Sequence, residues 1–192
     1  MTNHLKKKNN VCTILGNGIS RTELVNQNFP RPVYACNAYY RDGNPDFLVA
    51  IDEKILNEIR NSSFPKSKLL DVPWEEQFEP FEWNPNQPRE NAGMIAMRKA
   101  IEAGYSHLIC YGFDFLLDDK ETNLSNVYEG TESYGDETKT SYHDSMRRVD
   151  YFNWFVRKYD HVIFEFVYPS LKKPFTFRAK EAKNIVLTFE QE

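Results

Sequence analysis

The chain has 192 residues, 41% apolar and 27% charged, with 14 Phe, 11 Tyr and 3 Trp. This is the composition of one folded domain with its own core, and it excludes a disordered chain. No run of 18 apolar residues is present, which excludes a membrane-spanning helix, and a net charge of −4 argues against a nucleic-acid partner.

Residues 1–10, with Lys6, Lys7 and Lys8, read as a solvated basic tail without a signal-like apolar stretch. Residues 11–192 read as a single domain. Cys12, Cys36 and Cys110 each sit in an apolar run, at no spacing of a zinc site or redox pair. Buried free thiols and a cytoplasmic location are the expectation.

The first strand signal is Val11–Leu15, ending at Gly16-Asn17-Gly18, and Arg21–Gln27 can form a short helix. Val33–Cys36 and Phe47–Ile51 follow as strands. Asp52 can then cap a helix over Glu53–Arg60, with Ile55, Leu56 and Ile59 on one face. Lys68–Val72 is a fourth strand. Residues 73–90, with Pro73, Pro80, Pro85, Pro88, Trp74 and Trp83, read as a long covering loop. Asn91–Ala103 is a helix with Asn91 as N-cap, an apolar stripe through Met94, Met97, Ala100 and Ile101, and Gly104 at its end. Leu108–Tyr111 is a buried strand, and residues 113–141 are a polar candidate lid. A helix over 145–158, a strand over Val162–Val167 and an edge strand over Ile185–Phe189 complete the chain.

Alternating strands and helices predict an α/β fold, a mostly parallel Rossmann-like sheet with helices on both faces. Ligands of such sheets sit beyond the carboxyl ends of the strands. The residues to watch are therefore Gly16, Asn17, Gly18, Asn37, Asp52, Gly112, Phe113 and Asp114, with loops 16–20, 37–44 and 112–120 meeting at one edge. In GNGIS the glycines permit close backbone approach, Asn17 offers an amide, and Ser20 or Thr22 can cap a helix whose N-terminus faces a phosphate. Arg21 stands where a dinucleotide fingerprint has its third glycine, and there is no P-loop lysine. A tight structural turn and a phosphate loop both remain open from these residues.

The order GNGIS, CNAYY, NAG before a helix, GYSHLICYGFDF and YHDS before another helix resembles bacterial sialyltransferases of glycosyltransferase family 42. It also resembles broader sialyltransferase-like proteins of unknown activity. The resemblance spans about residues 11–168, with gaps in both long loops. It implies a glycosyltransferase-like nucleotide-binding sheet with a lid, a CMP-linked sugar donor, and inversion at the anomeric centre without metal or bound cofactor. The implied partners are a nucleotide or nucleotide sugar and a glycan or other hydroxyl acceptor, with assembly as a homo-oligomer.

Position by position, Asn17 and Asn37 match asparagines that touch the nucleotide. Asn91-Ala92-Gly93 matches a serine–glycine pair at the donor site, but Ala92 replaces the serine and removes a hydroxyl. Gly112-Phe113-Asp114-Phe115 matches the strand end beside the leaving phosphate, where the family has tyrosines; Tyr128 or Tyr134 is the counterpart. His143 aligns with the catalytic histidine. An inverting transfer needs a base for the acceptor proton, and imidazole, with an ordinary pKa of roughly 6.5, suits neutral pH.

Blander readings stand beside these. His143 can simply cap a helix, while His107 and His161, at strand starts, read as structural. Tyr39, Tyr40 and Arg41 line a pocket or the surface. Asp114, Asp118, Asp119 and Glu121 form either a cation site or a solvated acidic loop, and Tyr151, Phe152, Trp154 and Phe155 read as core. Besides the glycosyltransferase, two functions remain. One is a magnesium-dependent pyrophosphate-transfer enzyme of the same fold, using Asp52, Asp114 and Asp118. The other is a non-catalytic module that binds or sequesters a nucleotide.

Overall fold

The computed structural model describes residues 10–24, 28–73, 77, 90–118, 125–136, 139, 141–169 and 177–190. The basic tail over residues 1–9, most of the proline-rich loop, and Asp119 and Glu121 lie outside the described residues.

Seven strands form one all-parallel sheet. They are β1 (Val11–Leu15), β2 (Val33–Cys36), β3 (Phe47–Ala50), β4 (Leu69–Asp71), β5 (His107–Tyr111), β6 (Ile163–Pro169) and β7 (Ile185–Glu190). Their spatial order is β4-β3-β2-β1-β5-β6-β7. The chain therefore steps outward from β1 to one edge, returns to the other side of β1, and steps outward again. The reversal lies between β1 and β5, where an open parallel sheet leaves a crevice at its carboxyl end.

Among the described residues, three α-helices connect these strands: α1 (Glu53–Asn61), α2 (Ala92–Glu102) and α3 (Tyr142–Lys158). Strand residues alternate between two cores, as the pleat dictates. Cys12, Ile14, Tyr34, Cys36, Val49, Leu108, Cys110, Phe164 and Phe166 join Met94 and Met97 of α2 and Phe152 and Phe155 of α3. Leu15, Val33, Ala35, Leu48, Ala50, Tyr111 and Val167 join Ile55, Leu56 and Ile59 of α1, with Tyr128 and Tyr134. Helices on both faces explain the near-continuous apolar runs of the central strands. The aromatic stripe of α3 is core: Phe152 is fully buried with its ring 5.4 Å from that of Phe166 and 6.5 Å from that of Phe164. The three cysteines are free and buried, and burial pushes the thiols of Cys12 and Cys36 up to about 12.

Three local expectations shift, the first being that Asp52 precedes α1 without a side-chain capping hydrogen bond. Where a short helix is expected over Arg21–Gln27, the described residues form a 3-10 helix over Ile19–Leu24 whose Ser20 N–H donates to Asp114, and residues 25–27 lie outside the described residues. Helix α3 starts at Tyr142, one turn before 145. Ser141 is its N-cap, its hydroxyl oxygen accepting from the Asp144 amide at 3.1 Å while its O–H donates to the Asp144 carboxylate at 2.6 Å. His143 therefore belongs to the first helical turn. Asn91 caps α2 as its sequence predicts, accepting from Met94 N–H at 2.9 Å, and Gly104 follows at φ 94°.

Candidate functional site

A cavity of about 630 Å³ opens at the carboxyl ends of β1, β2, β3 and β5, at the reversal of strand order. That volume lies within the range of about 300–1,000 Å³ that holds small ligands. Its wall includes Gly16, Asn17, Gly18, Asn37, Asp52, Asn91, Gly93, Gly112, Phe113, Asp114 and Tyr134. Ser20, Tyr128 and His143 do not line it.

The glycines of the first loop are explained by a second loop. Gly16 N–H donates to the Tyr111 carbonyl at 2.8 Å and Gly18 N–H to the Gly112 carbonyl at 2.9 Å, extending the β1–β5 contact past the sheet. A Cβ on Gly16 would lie 2.3 Å from the Gly112 oxygen, and one on Gly18 would lie 2.4 Å from Asp114 Cγ. The Asp114 carboxylate accepts from Ser20 N–H at 2.9 Å and from the Ser20 hydroxyl. Burial pushes the Asp114 carboxyl up to about 6, against the hydrogen bonds from Ser20 that favour its charged form. Ser20 and Asp114 thus brace the loop that presents Asn17.

Asn17 Nδ2 donates to the Tyr134 hydroxyl at 3.3 Å, and its carbonyl accepts from Val127 N–H at 2.9 Å. Asn37 follows β2 at φ 51°, a left-handed conformation that asparagine tolerates better than most residues. Its Oδ1 is buried with no hydrogen-bond partner among the described residues. At the N-terminus of α2, Gly93 lets the Phe113 ring pack closely, since a Cβ there would lie 2.9 Å from it. Glu90, just before α2, also lines the cavity. Its buried carboxylate accepts from Arg98 Nε at 2.9 Å and from the Tyr151 hydroxyl at 2.8 Å, tying α2 to α3.

Residues of the 125–136 segment form a further part of the wall, and three charged groups hold that segment, of which Glu58 carried no sequence signal. Arg41 pairs with Glu58 and donates to Thr131 Oγ1 at 2.8 Å and to the Glu132 carbonyl at 2.9 Å. Glu58 also accepts from the Ser133 hydroxyl at 2.9 Å and from the Tyr40 hydroxyl. Burial opposes its charge, but the hydrogen bonds from Arg41, Tyr40 and Ser133 prevail and hold its carboxyl below the ordinary value. The third group, buried Arg21, donates to Asp42 at 3.0 Å and to the Tyr128 hydroxyl at 2.9 Å, with its guanidinium 4.8 Å above the Tyr39 ring. Tyr39, Tyr40 and Arg41 are therefore struts behind the wall. The only advance signal for Arg21 was its place where a fingerprint glycine was absent.

Of the two loop tyrosines, Tyr134 reaches the cavity and Tyr128 is held behind it by Arg21 and Asp42. His143 is exposed, while Asp144 and Arg148 of the same helix line the cavity with Lys54 and Lys139. His107 pairs with Glu165 at 2.7 Å, across the β5–β6 ladder, and His161 is exposed. Among the described residues no group of three or more His, Cys, Asp or Glu is arranged to hold a metal ion. Nor is any described helix long and apolar enough to cross a membrane. Neither protein-family models nor comparison with curated proteins and solved structures gives a match to this chain.

Proposed function

We propose that the cavity binds a nucleotide-linked sugar and that the protein transfers the sugar to a hydroxyl acceptor, as a metal-independent inverting glycosyltransferase of the sialyltransferase-like kind. One observation carries this reading: Asn17, Asn37 and the first turn of α2 meet in one cavity at the strand-order reversal, with Asn37 Oδ1 buried and lacking a partner among the described residues. Such an acceptor costs about 1–3 kcal/mol while unsatisfied, and an N–H or O–H of a bound nucleotide removes that cost.

The N-terminus of α2 and the Tyr134 hydroxyl suit a phosphate that gains charge as the sugar–phosphate bond breaks. His143 takes the acceptor proton in this reading. Its exposed position, one residue from cavity-lining Asp144, suits an acceptor arriving from solvent. The resemblance to family 42 points to a CMP-linked donor, and Ala92 in place of the serine argues for a changed contact to the sugar. A cytoplasmic location belongs to the same reading.

A second reading, a non-catalytic nucleotide-binding module, is favoured by the absence of a histidine from the cavity wall among the described residues. Magnesium-dependent pyrophosphate transfer is disfavoured, because the Asp114 carboxylate it needs is engaged by Ser20. Incubation with CMP-linked and other nucleotide sugars, in chelator, tests the proposal. Nucleotide release that rises with a hydroxyl acceptor, and falls roughly 10²- to 10⁴-fold in His143→Ala, supports transfer. Binding without release supports the module.

A further inference from the structure

Apolar exposure is unevenly distributed over the molecule. Among the described residues, four of the five exposed large hydrophobic side chains lie on β6 and β7: Ile163 at 43%, Val186 at 43%, Leu187 at 37% and Phe189 at 48%. Strand β7 is the last of the sheet, six residues long, with no described strand beyond it. The opposite edge is managed differently. Strand β4 has only three residues, and its Asp71 is paired with Arg60 at 2.7 Å. Short, charged edges resist pairing, whereas a long apolar edge is a template for another strand.

We propose that β7 pairs antiparallel with β7 of a second copy of this chain, joining two sheets across a two-fold axis. The sequence of the strand selects both the occupant and the register. A two-fold axis perpendicular to the sheet keeps the two faces distinct, so only registers that oppose residues of the same face are allowed. Centring the axis on Leu187 sets Leu187 against the partner's Leu187 and Ile185 against the partner's Phe189. Three apolar cross-strand pairs form on one face. Glu190 then stands opposite the partner's Asn184, so a polar pair, not an apolar–charged one, closes each end. Centring on Val186 would oppose Phe189 to a lysine, and centring on Thr188 would oppose Val186 to a glutamate. A parallel pairing in register would bring Glu190 beside its own copy. The strand is self-complementary in one arrangement.

The pairing is independent of what the cavity binds. Sedimentation of the full chain over a concentration series tests it, with mass expected to rise from 22.6 kDa toward twice that value. Leu187→Lys places two like charges on the axis and is expected to hold the protein monomeric with its circular dichroism unchanged. Because a partly exposed edge residue can still affect folding, a second pair of variants reads the register directly. Leu187→Cys is expected to cross-link under mild oxidant, since directly opposed residues lie about 4.5–5.5 Å apart between Cα atoms, within disulfide reach. Val186→Cys is expected not to cross-link, being two residues out of register with itself, and the three native cysteines are buried. A chain that stays monomeric at every concentration overturns the proposal. So does a dimer indifferent to Leu187→Lys, or one in which Val186→Cys cross-links as well as Leu187→Cys.

Discussion

Replacing Asp114 with asparagine tests the brace beneath the site. The carboxyl is buried, and its pKa rises from 3.8 to about 6 because desolvation of the charge outweighs the hydrogen bonds from Ser20. A folded-state pKa above the unfolded one means that the folded protein binds more protons between those values. The stability contributed by this group is therefore present below about pH 4 and lost as pH rises through 6. A shift of roughly two units corresponds to about 3 kcal/mol. The substituted amide does not titrate but retains an acceptor for Ser20, so the difference between wild type and Asp114→Asn isolates this one group. Urea denaturation of both proteins from about pH 4 to 7.5 should show wild type losing about 3 kcal/mol relative to the variant as pH rises. A difference that is flat with pH, or that grows in favour of wild type, refutes the reasoning.

Three further substitutions probe the loops. Gly16→Ala should destabilise by about 1–3 kcal/mol or more by urea denaturation, because its Cβ meets the Gly112 carbonyl at 2.3 Å and backbone must move. Tyr128→Phe should cost about 1–3 kcal/mol in the same assay, since it removes a hydroxyl shared by buried Arg21 and Asp42. Ser141→Ala should cost about 1 kcal/mol through the lost N-cap, whereas His143→Ala, exposed on the same turn, should melt like wild type.

Much of this architecture was legible because local rules and burial agreed. Strands β1 and β2 have the bounds their apolar runs indicate, and Asn91 caps α2 as its chemistry requires. The start of α3 was missed although Ser141 and Asp144 have capping spacing, because the polar run before it lacks an apolar stripe. At the site, turn residues after the strands pointed to the right edge of the sheet. Long-range polar pairing was not legible: Arg21 with Tyr128 lies 107 residues apart, and Arg41 with Thr131 lies 90. Nothing local distinguishes a buried arginine from a solvated one. The Ser20–Asp114 brace likewise spans 94 residues, so its two ends read separately as a helix cap and a cavity acid.

The nucleotide cavity itself is tested most directly by calorimetric titration of cytidine monophosphate into wild type and Asn37→Ala. The expected result is saturable binding at one site per chain, weakened roughly 5- to 150-fold in the variant, which corresponds to about 1–3 kcal/mol for the lost acceptor. Removing the unsatisfied Oδ1 favours the variant while alanine at φ 51° strains the backbone, so the two effects offset and the variant should melt within a few degrees of wild type. No binding of this or any other nucleoside phosphate, or equal affinity in the two proteins, contradicts the assignment.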